Sequence, residues 1–236
     1  MGYTIDSVKN AATAEEKEII EGNMQRYDAL LKSVKRDGIE NLLAFLHQST
    51  FYWDPAAVSH HSDYIGGLCQ HSLNVYDRLS AKFTASLTPS MDCEAAGSPV
   101  TNENLIVAAL LHDLCKIGTY DLAIKNVKSY DPEVVERERR TGARVQKDLG
   151  GQYVWTVKKG FVSADEQPLG HGEKSLDIVR DFIKVTDAEK YAIRWHMGFT
   201  EPKENWKYLG TTYKKYPLAL YLSQADLEAT YFMEEE

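Results

Sequence analysis

The stretch AALLHDLCKIG, residues 108–118, ends an apolar run with an imidazole and a carboxylate, His112 and Asp113, and sets Lys116 one turn later. Burying such groups is costly unless they are paired. The pair is therefore either a polar plug satisfied by local hydrogen bonds or the holder of something that takes two adjacent ligands. Similar donors recur elsewhere. His71 lies in GGLCQHSLNVYDRLSAKF, His171 in PLGHGEKS, and His196 closes AIRWHMG. Asp226 sits in LALYLSQADLEAT, with Leu220, Leu222 and Ala225 as apolar neighbours. Any one of these histidines alone reads as an ordinary core or surface residue. Together they form a mixed nitrogen and oxygen donor set suited to a divalent metal ion, which compensates several buried donors at once. If the helix ends at the pair, His112 and Asp113 can reach the same side, and the two oxygens of Asp113 can bridge two ions.

The elements that must position these donors are mostly helical by pattern. TAEEKEIIEGNMQRYDALLKSV opens with Thr13 as an N-cap followed by acidic residues. GIENLLAFLHQSTFYW reads as a helix ending near the Asp54-Pro55 turn. A third helix, which carries His71, has Leu68, Val75 and Leu79 on one side. TPSMDCEAAGSP is a loop, and NENLIVAALLHDLCKI is a strongly apolar central helix. DPEVVERERRTGARVQKDLG is a charged helix or loop. QYVWTVKKGFVSADEQPLG alternates, with Lys159-Gly160 at a turn, and predicts a β-hairpin inserted near 151–168. Helices return in GEKSLDIVRDFI, in TDAEKYAIRWHM, where Thr186 and Glu189 form a capping box, and in YPLALYLSQADLEATYFM. The expectation is one mainly α domain over 1–236, its N-terminal helices (1–50) packing on the core, with a small inserted hairpin.

The 236 residues carry a net charge of −8, which disfavours general binding of polyanions; no long nucleic acid partner is expected. Cys69, Cys93 and Cys115 make no disulfide framework and fit a reducing, cytoplasmic setting. The first residues lack a signal-peptide core, and Asp6 stands where a myristoylation motif wants Ser or Thr. No stretch is long and apolar enough to span a bilayer, so no membrane partner is expected.

His71, then HDLCK at 112–116, then Asp226 resembles the H…HD…D pattern of the HD-domain metal-dependent phosphohydrolases. DPAAVSHHSDYIGGLCQHSLNV is similar to the lead-in of the HD branch that includes bacterial 3′–5′ exoribonucleases. GHGEKS and WHMG resemble the two extra histidine motifs of dinuclear members. The resemblance runs from about residue 50 to 230 and implies an HD-type helical bundle. It implies that His71, His112, Asp113 and Asp226 hold a first ion. Asp113 then bridges to a second, completed by His171 and His196. Lys116 would face a substrate phosphate or a bridging hydroxide; the bland alternative is an ion pair with a nearby acid. The implied cofactors are two divalent ions drawn from Mn, Fe, Co, Ni, Mg or Zn. Met197 replaces the second histidine that HD-GYP-type and exoribonuclease-type members often carry after the position of His196. Too few residues precede the HD region for the nucleic-acid module of the exoribonucleases.

GHGEKS fails as a P-loop because the GxxxxGK[ST] spacing is absent. Lys174 and Ser175 at a helix start still suit a phosphate, or are simply first-turn residues. His61, beside His60, is a pocket candidate or a surface turn. WKYLGTTYKKYP reads as a solvated loop rather than a lip for a base and phosphate. The expected activity is hydrolysis of a phosphomonoester or phosphodiester in a nucleotide or short oligonucleotide by a metal-bound hydroxide, with Asp113 and Lys116 as catalytic groups. The rivals are an HD-type diiron oxygenase and a non-catalytic nucleotide-binding module.

Overall fold

Apolar residues recur at helical spacing through most of the chain, and ten α-helices result among the described residues. The computed structural model describes residues 4–58, 62–85, 99–165 and 168–234. Helices α1 (Ile5–Ala11), α2 (Ala14–Ser33) and α3 (Ile39–Gln48) come first. Then follow α4 (Gly67–Ala85) and α5 (Asn102–Leu111). After a small sheet come α7 (His171–Arg180), α8 (Asp187–Trp195), α9 (Trp206–Lys215) and α10 (Pro217–Phe232). Thr13 caps α2, and the capping boxes of Thr13 with Glu16 and of Thr186 with Glu189 both form. Among the described residues no helix is long and apolar enough to cross a membrane.

Residues 104–111 of α5 are all buried, because the helix lies between two apolar clusters. Ile106, Val107, Leu110 and Leu111 join Tyr27, Leu31, Leu42, Leu46 and Leu73 in the first cluster, contributed largely by α2, α3 and α4. Leu105, Ala108 and Ala109 join Val75, Leu79, Ala192, Leu218 and Leu222 in the second, from α4, α8 and α10. A helix apolar all round has to be enclosed in this way. A partly buried ion pair ties the connection between α2 and α3 to α8. Arg36 donates to both oxygens of Glu189 at 2.7 Å, and Asn104 adds a bond at 2.8 Å.

The sheet corrects the expected hairpin. Residues 151–163 are one strand, β3, with no turn at Lys159-Gly160. It pairs antiparallel with β1 (Tyr120–Ser129), so that Ile124 faces Lys159 and Ala123 faces Gly160. The short β2 (Gln146–Asp148) pairs with the start of β3, giving the order β1-β3-β2. The turn therefore falls at Leu149-Gly150. The Lys-Gly turn signal lost because the aliphatic stem of Lys125 lies over Gly160, where a side chain would crowd it. The charged segment after β1 supplies α6 (Pro132–Arg140). WKYLGTTYKKYP, expected as a loop, is largely helix α9. Most of TPSMDCEAAGSP lies outside the described residues, Cys93 included.

The sheet also brings site elements together. β1 follows directly on the segment of Asp113 and Lys116, and β3 leads toward His171. The pairing of Tyr120 with Ser163, extended by a bond from Ala164 N–H to Thr119 carbonyl at 2.7 Å, closes this long excursion at its base.

Candidate metal centre

Helix α5 stops at Leu111 rather than running through HDLCK. His112 keeps helical angles as the C-cap, Asp113 leaves them (φ −113°, ψ 20°), and Leu114–Lys116 forms a 3-10 turn. That break lets two consecutive side chains face one side. The last carbonyls of a helix lack intrahelical donors, and here side chains supply them. The buried Tyr27 hydroxyl donates to Leu110 carbonyl at 2.7 Å, and His112 Nδ1 bonds Ala109 carbonyl at 2.8 Å. Helix α8 repeats the device: His196 is its C-cap, and its Nδ1 bonds Ile193 carbonyl at 2.7 Å. A ring held through Nδ1–H presents Nε2 as its free lone pair, which is how ligating histidines are oriented. The negative ends of two helices therefore point where a cation would sit.

These nitrogens converge on Asp113. His196 Nε2 is 3.4 Å from Oδ1; His112 Nε2 and His71 Nε2 are 3.4 and 3.6 Å from Oδ2. The ring centres of His112 and His196 are 4.9 Å apart, those of His71 and His112 5.3 Å. Asp226 on α10 places Oδ1 3.2 Å from His71 Nε2. His112 Nε2, His196 Nε2 and Asp113 Oδ1 are buried and have no hydrogen-bond partner among the described residues. Leaving three polar atoms so placed is costly. Ligand atoms of His71, His112 and Asp226 lie within 4.8 Å of one another, as do those of His112, Asp113 and His196, and those of Asp113, Cys115 and His171. These groups could hold a metal ion, and the donors fit one: imidazole nitrogens and carboxylate oxygens aimed at a common centre.

The electrostatics agree in sign. Burial pushes the Asp113 carboxyl up, but Lys116 and the imidazoles of His112 and His196 outweigh it and hold it well below the carboxylate range. Asp226 is likewise brought down to about 2, with His71 overcoming burial. Burial favours a neutral His71, yet its bonds to Asp226 and Glu234 raise it to about 10. His196 is also raised, by Asp113 against burial. The carboxylates therefore demand positive charge at this centre, which bound cations supply as well as protons do.

The six donors expected from the sequence are thus brought together. His171, the first residue of α7, has an exposed face, yet partial desolvation of its ring lowers its pKa, against Asp113 and with Lys116. Gly172 permits its approach, since a side chain there would strike Arg194 carbonyl just ahead of His196. Lys116 forms an ion pair with Asp113 Oδ2 at 2.6 Å and also lines the cavity at the site.

The phosphate reading of Lys174 and Ser175 is corrected. Lys174 is buried and bound to Asp165. Ser175 is fully buried, and its hydroxyl accepts from Cys115 N–H at 3.1 Å, tying α7 to the turn after Asp113. Neither lines the cavity, because the first turn of α7 spends them on packing. His61 lies outside the described residues.

Three further residues escaped sequence reasoning. Glu234 accepts from His71 Nδ1 at 3.0 Å, from Asn74 at 2.8 Å and from Ser62 at 2.8 Å. As one acid among three after Met233, it carried no sequence signal. Cys115 Sγ lies 3.5 Å from His171 Nδ1, and burial, helped by Asp113, raises the thiol to about 12. Asp54, fully buried, accepts from Gly118 N–H at 3.0 Å and from the Thr50 hydroxyl at 2.6 Å, and so fixes the exit of the HDLCK turn. Its place before Pro55 in a turn was the only signal. Comparison with family models, with curated proteins and with solved structures gives no match for this chain.

Proposed function

We propose that the chain is a metal-dependent phosphohydrolase acting on a phosphoester of a nucleotide-sized substrate. The observation that carries this reading is the ring of buried donors around Asp113, with His112 and His196 each locked through Nδ1 and aimed inward through Nε2. His71, His112, Asp113 and Asp226 would hold one ion, and Asp113, His171 and His196 a second. The order of these residues, like that of the HD-domain phosphohydrolases it resembles, adds support. Such ions, when bound, lower the pKa of water and neutralise charge on phosphoryl oxygens.

The chain's own groups have distinct tasks. Asp113 fixes the imidazoles about one centre and holds the Lys116 ammonium. Burial works against that charge, and Asp113 outweighs it, so the ammonium persists at neutral pH. Lys116 lines the cavity and is placed to stabilise negative charge on a phosphoryl group. In the net reaction water adds to phosphorus, the ester P–O bond breaks, and the water's proton ends on the leaving oxygen.

The test is a screen of phosphomonoesters and phosphodiesters with Mn²⁺, Co²⁺, Mg²⁺ or Zn²⁺, with Asp113→Ala as control. Phosphate or nucleotide release that needs metal and Asp113 but not oxygen supports the reading. Oxygen uptake without phosphoester cleavage would replace it with an oxygenase, and metal binding without either would make the chain a binding module.

A further inference from the structure

We propose that the site selects a substrate with one phosphoryl group attached to an uncharged moiety with a flat apolar face, and rejects a second phosphate. This rests on the phosphohydrolase reading and names the substrate class for it. A cavity of about 980 Å³ opens on the metal donors, between α10, the turn after α8 and the segment 62–64. Its charge is unusual for a site that would hold several phosphates. Among the described lining residues the one Lys or Arg is Lys116, already paired with Asp113. Four carboxylates line the same cavity: Asp63, Asp113, Asp226 and Glu234. Two divalent ions would do little more than balance them, leaving the charge of Lys116 for one phosphoryl group. Lys174 is held by Asp165 and does not line the cavity. A second phosphate would enter beside carboxylates with no further Lys or Arg among the described lining residues to meet it, and burying an unpaired charge is strongly disfavoured.

The rest of the cavity is built for something neutral. Phe199 is 64% exposed, and Leu227 and Tyr231, one turn apart on α10, are 50% and 56% exposed. Large apolar side chains clustered at a cavity mouth mark a binding surface. Gly198 aims Phe199 there. Its φ is +55°, and a side chain at this position would meet Ser223 Oγ at 2.6 Å and Tyr213 Oη at 3.0 Å. The same cavity is lined by the neutral side chains of Thr200, Ser223 and Gln224, which can hydrogen-bond a moiety without demanding charge.

The experiment uses the metal-loaded full chain with adenosine mono-, di- and triphosphate, phenyl phosphate and glycerol 2-phosphate. The expected result is a kcat/KM for the monophosphate about tenfold or more above that for the diphosphate. Phe199→Ala and Tyr231→Ala should each cut the preference for phenyl phosphate over glycerol 2-phosphate by about tenfold. Gln224→Lys should raise relative activity on the diphosphate. A wild-type preference for di- or triphosphate, with hydrolysis intact, overturns this inference and leaves the phosphohydrolase reading standing. Calorimetry separates the opposite case. If no phosphoester is cleaved but the monophosphate binds more tightly than the diphosphate, the charge selection stands and the catalytic reading falls. Equal binding of both overturns the selection.

Discussion

Glu234 Oε1 lies 3.0 Å from His71 Nδ1, on the far side of the ring from the Nε2 that faces Asp226. One carboxylate thus orients a ring whose other nitrogen points at the metal donors. Such outer carboxylates raise ligand basicity and fix the tautomer. Glu234→Gln keeps the shape and weakens the acceptor. Metal affinity measured by calorimetry should fall by about 10- to 100-fold, with the circular dichroism spectrum unchanged. An unaltered affinity would mean that the contact does not orient His71.

Asp113 touches three imidazoles and Lys116, so removing its charge should affect every ligand group at once. Asp113→Asn should lose bound metal, measured by plasma mass spectrometry after dialysis, together with phosphoester cleavage. A variant that keeps metal but loses turnover would restrict Asp113 to chemistry.

Metal should also stabilise the fold, because the buried Nε2 atoms and Asp113 Oδ1 gain partners. At a free metal concentration about 100 times the dissociation constant, linkage gives about 2.7 kcal/mol. For a chain of this size that raises Tm by roughly 5–10 °C. Thermal scans of protein with Mn²⁺ or Co²⁺ against protein with chelator measure it. His112→Ala should abolish the difference.

The Arg36–Glu189 pair lies away from the metal donors and tests stability alone. Glu189 is fully buried and receives bonds from Arg36, Asn104 and Thr186 N–H. Arg36→Ala strands its charge, at a cost of about 3–5 kcal/mol. Denaturant unfolding should show that loss, and the metal affinity of the folded variant should match the wild type. A loss under 1 kcal/mol would mean water reaches Glu189, by roughly the worth of an exposed pair.

Gly198 combines a left-handed backbone with close approach to Ser223. Gly198→Ala should destabilise the fold by about 1 kcal/mol or more and raise KM more than it lowers kcat, since it displaces Phe199 rather than a donor. Equal effects on both parameters would place the turn within the metal centre itself.

The residue pattern alone determined that this chain is mainly helical, because apolar spacing records which faces must be buried. It also singled out the donors: imidazoles and carboxylates inside apolar helices are costly unless something compensates them, so their presence is informative before any coordinates. The Thr186–Glu189 box was legible because capping is local. What only the tertiary structure decided depends on contacts between distant segments. Whether Lys159-Gly160 turned or ran straight depended on its pairing with Ala123 and Ile124 of the distant β1, a partner no local signal names. Whether Lys174 and Ser175 met a ligand or the interior depended on how α7 packs against the turn after Asp113. Glu234 reached His71 only because α10 runs alongside α4, and a lone acid in a run of acids carries no mark of the neighbour that folding will give it.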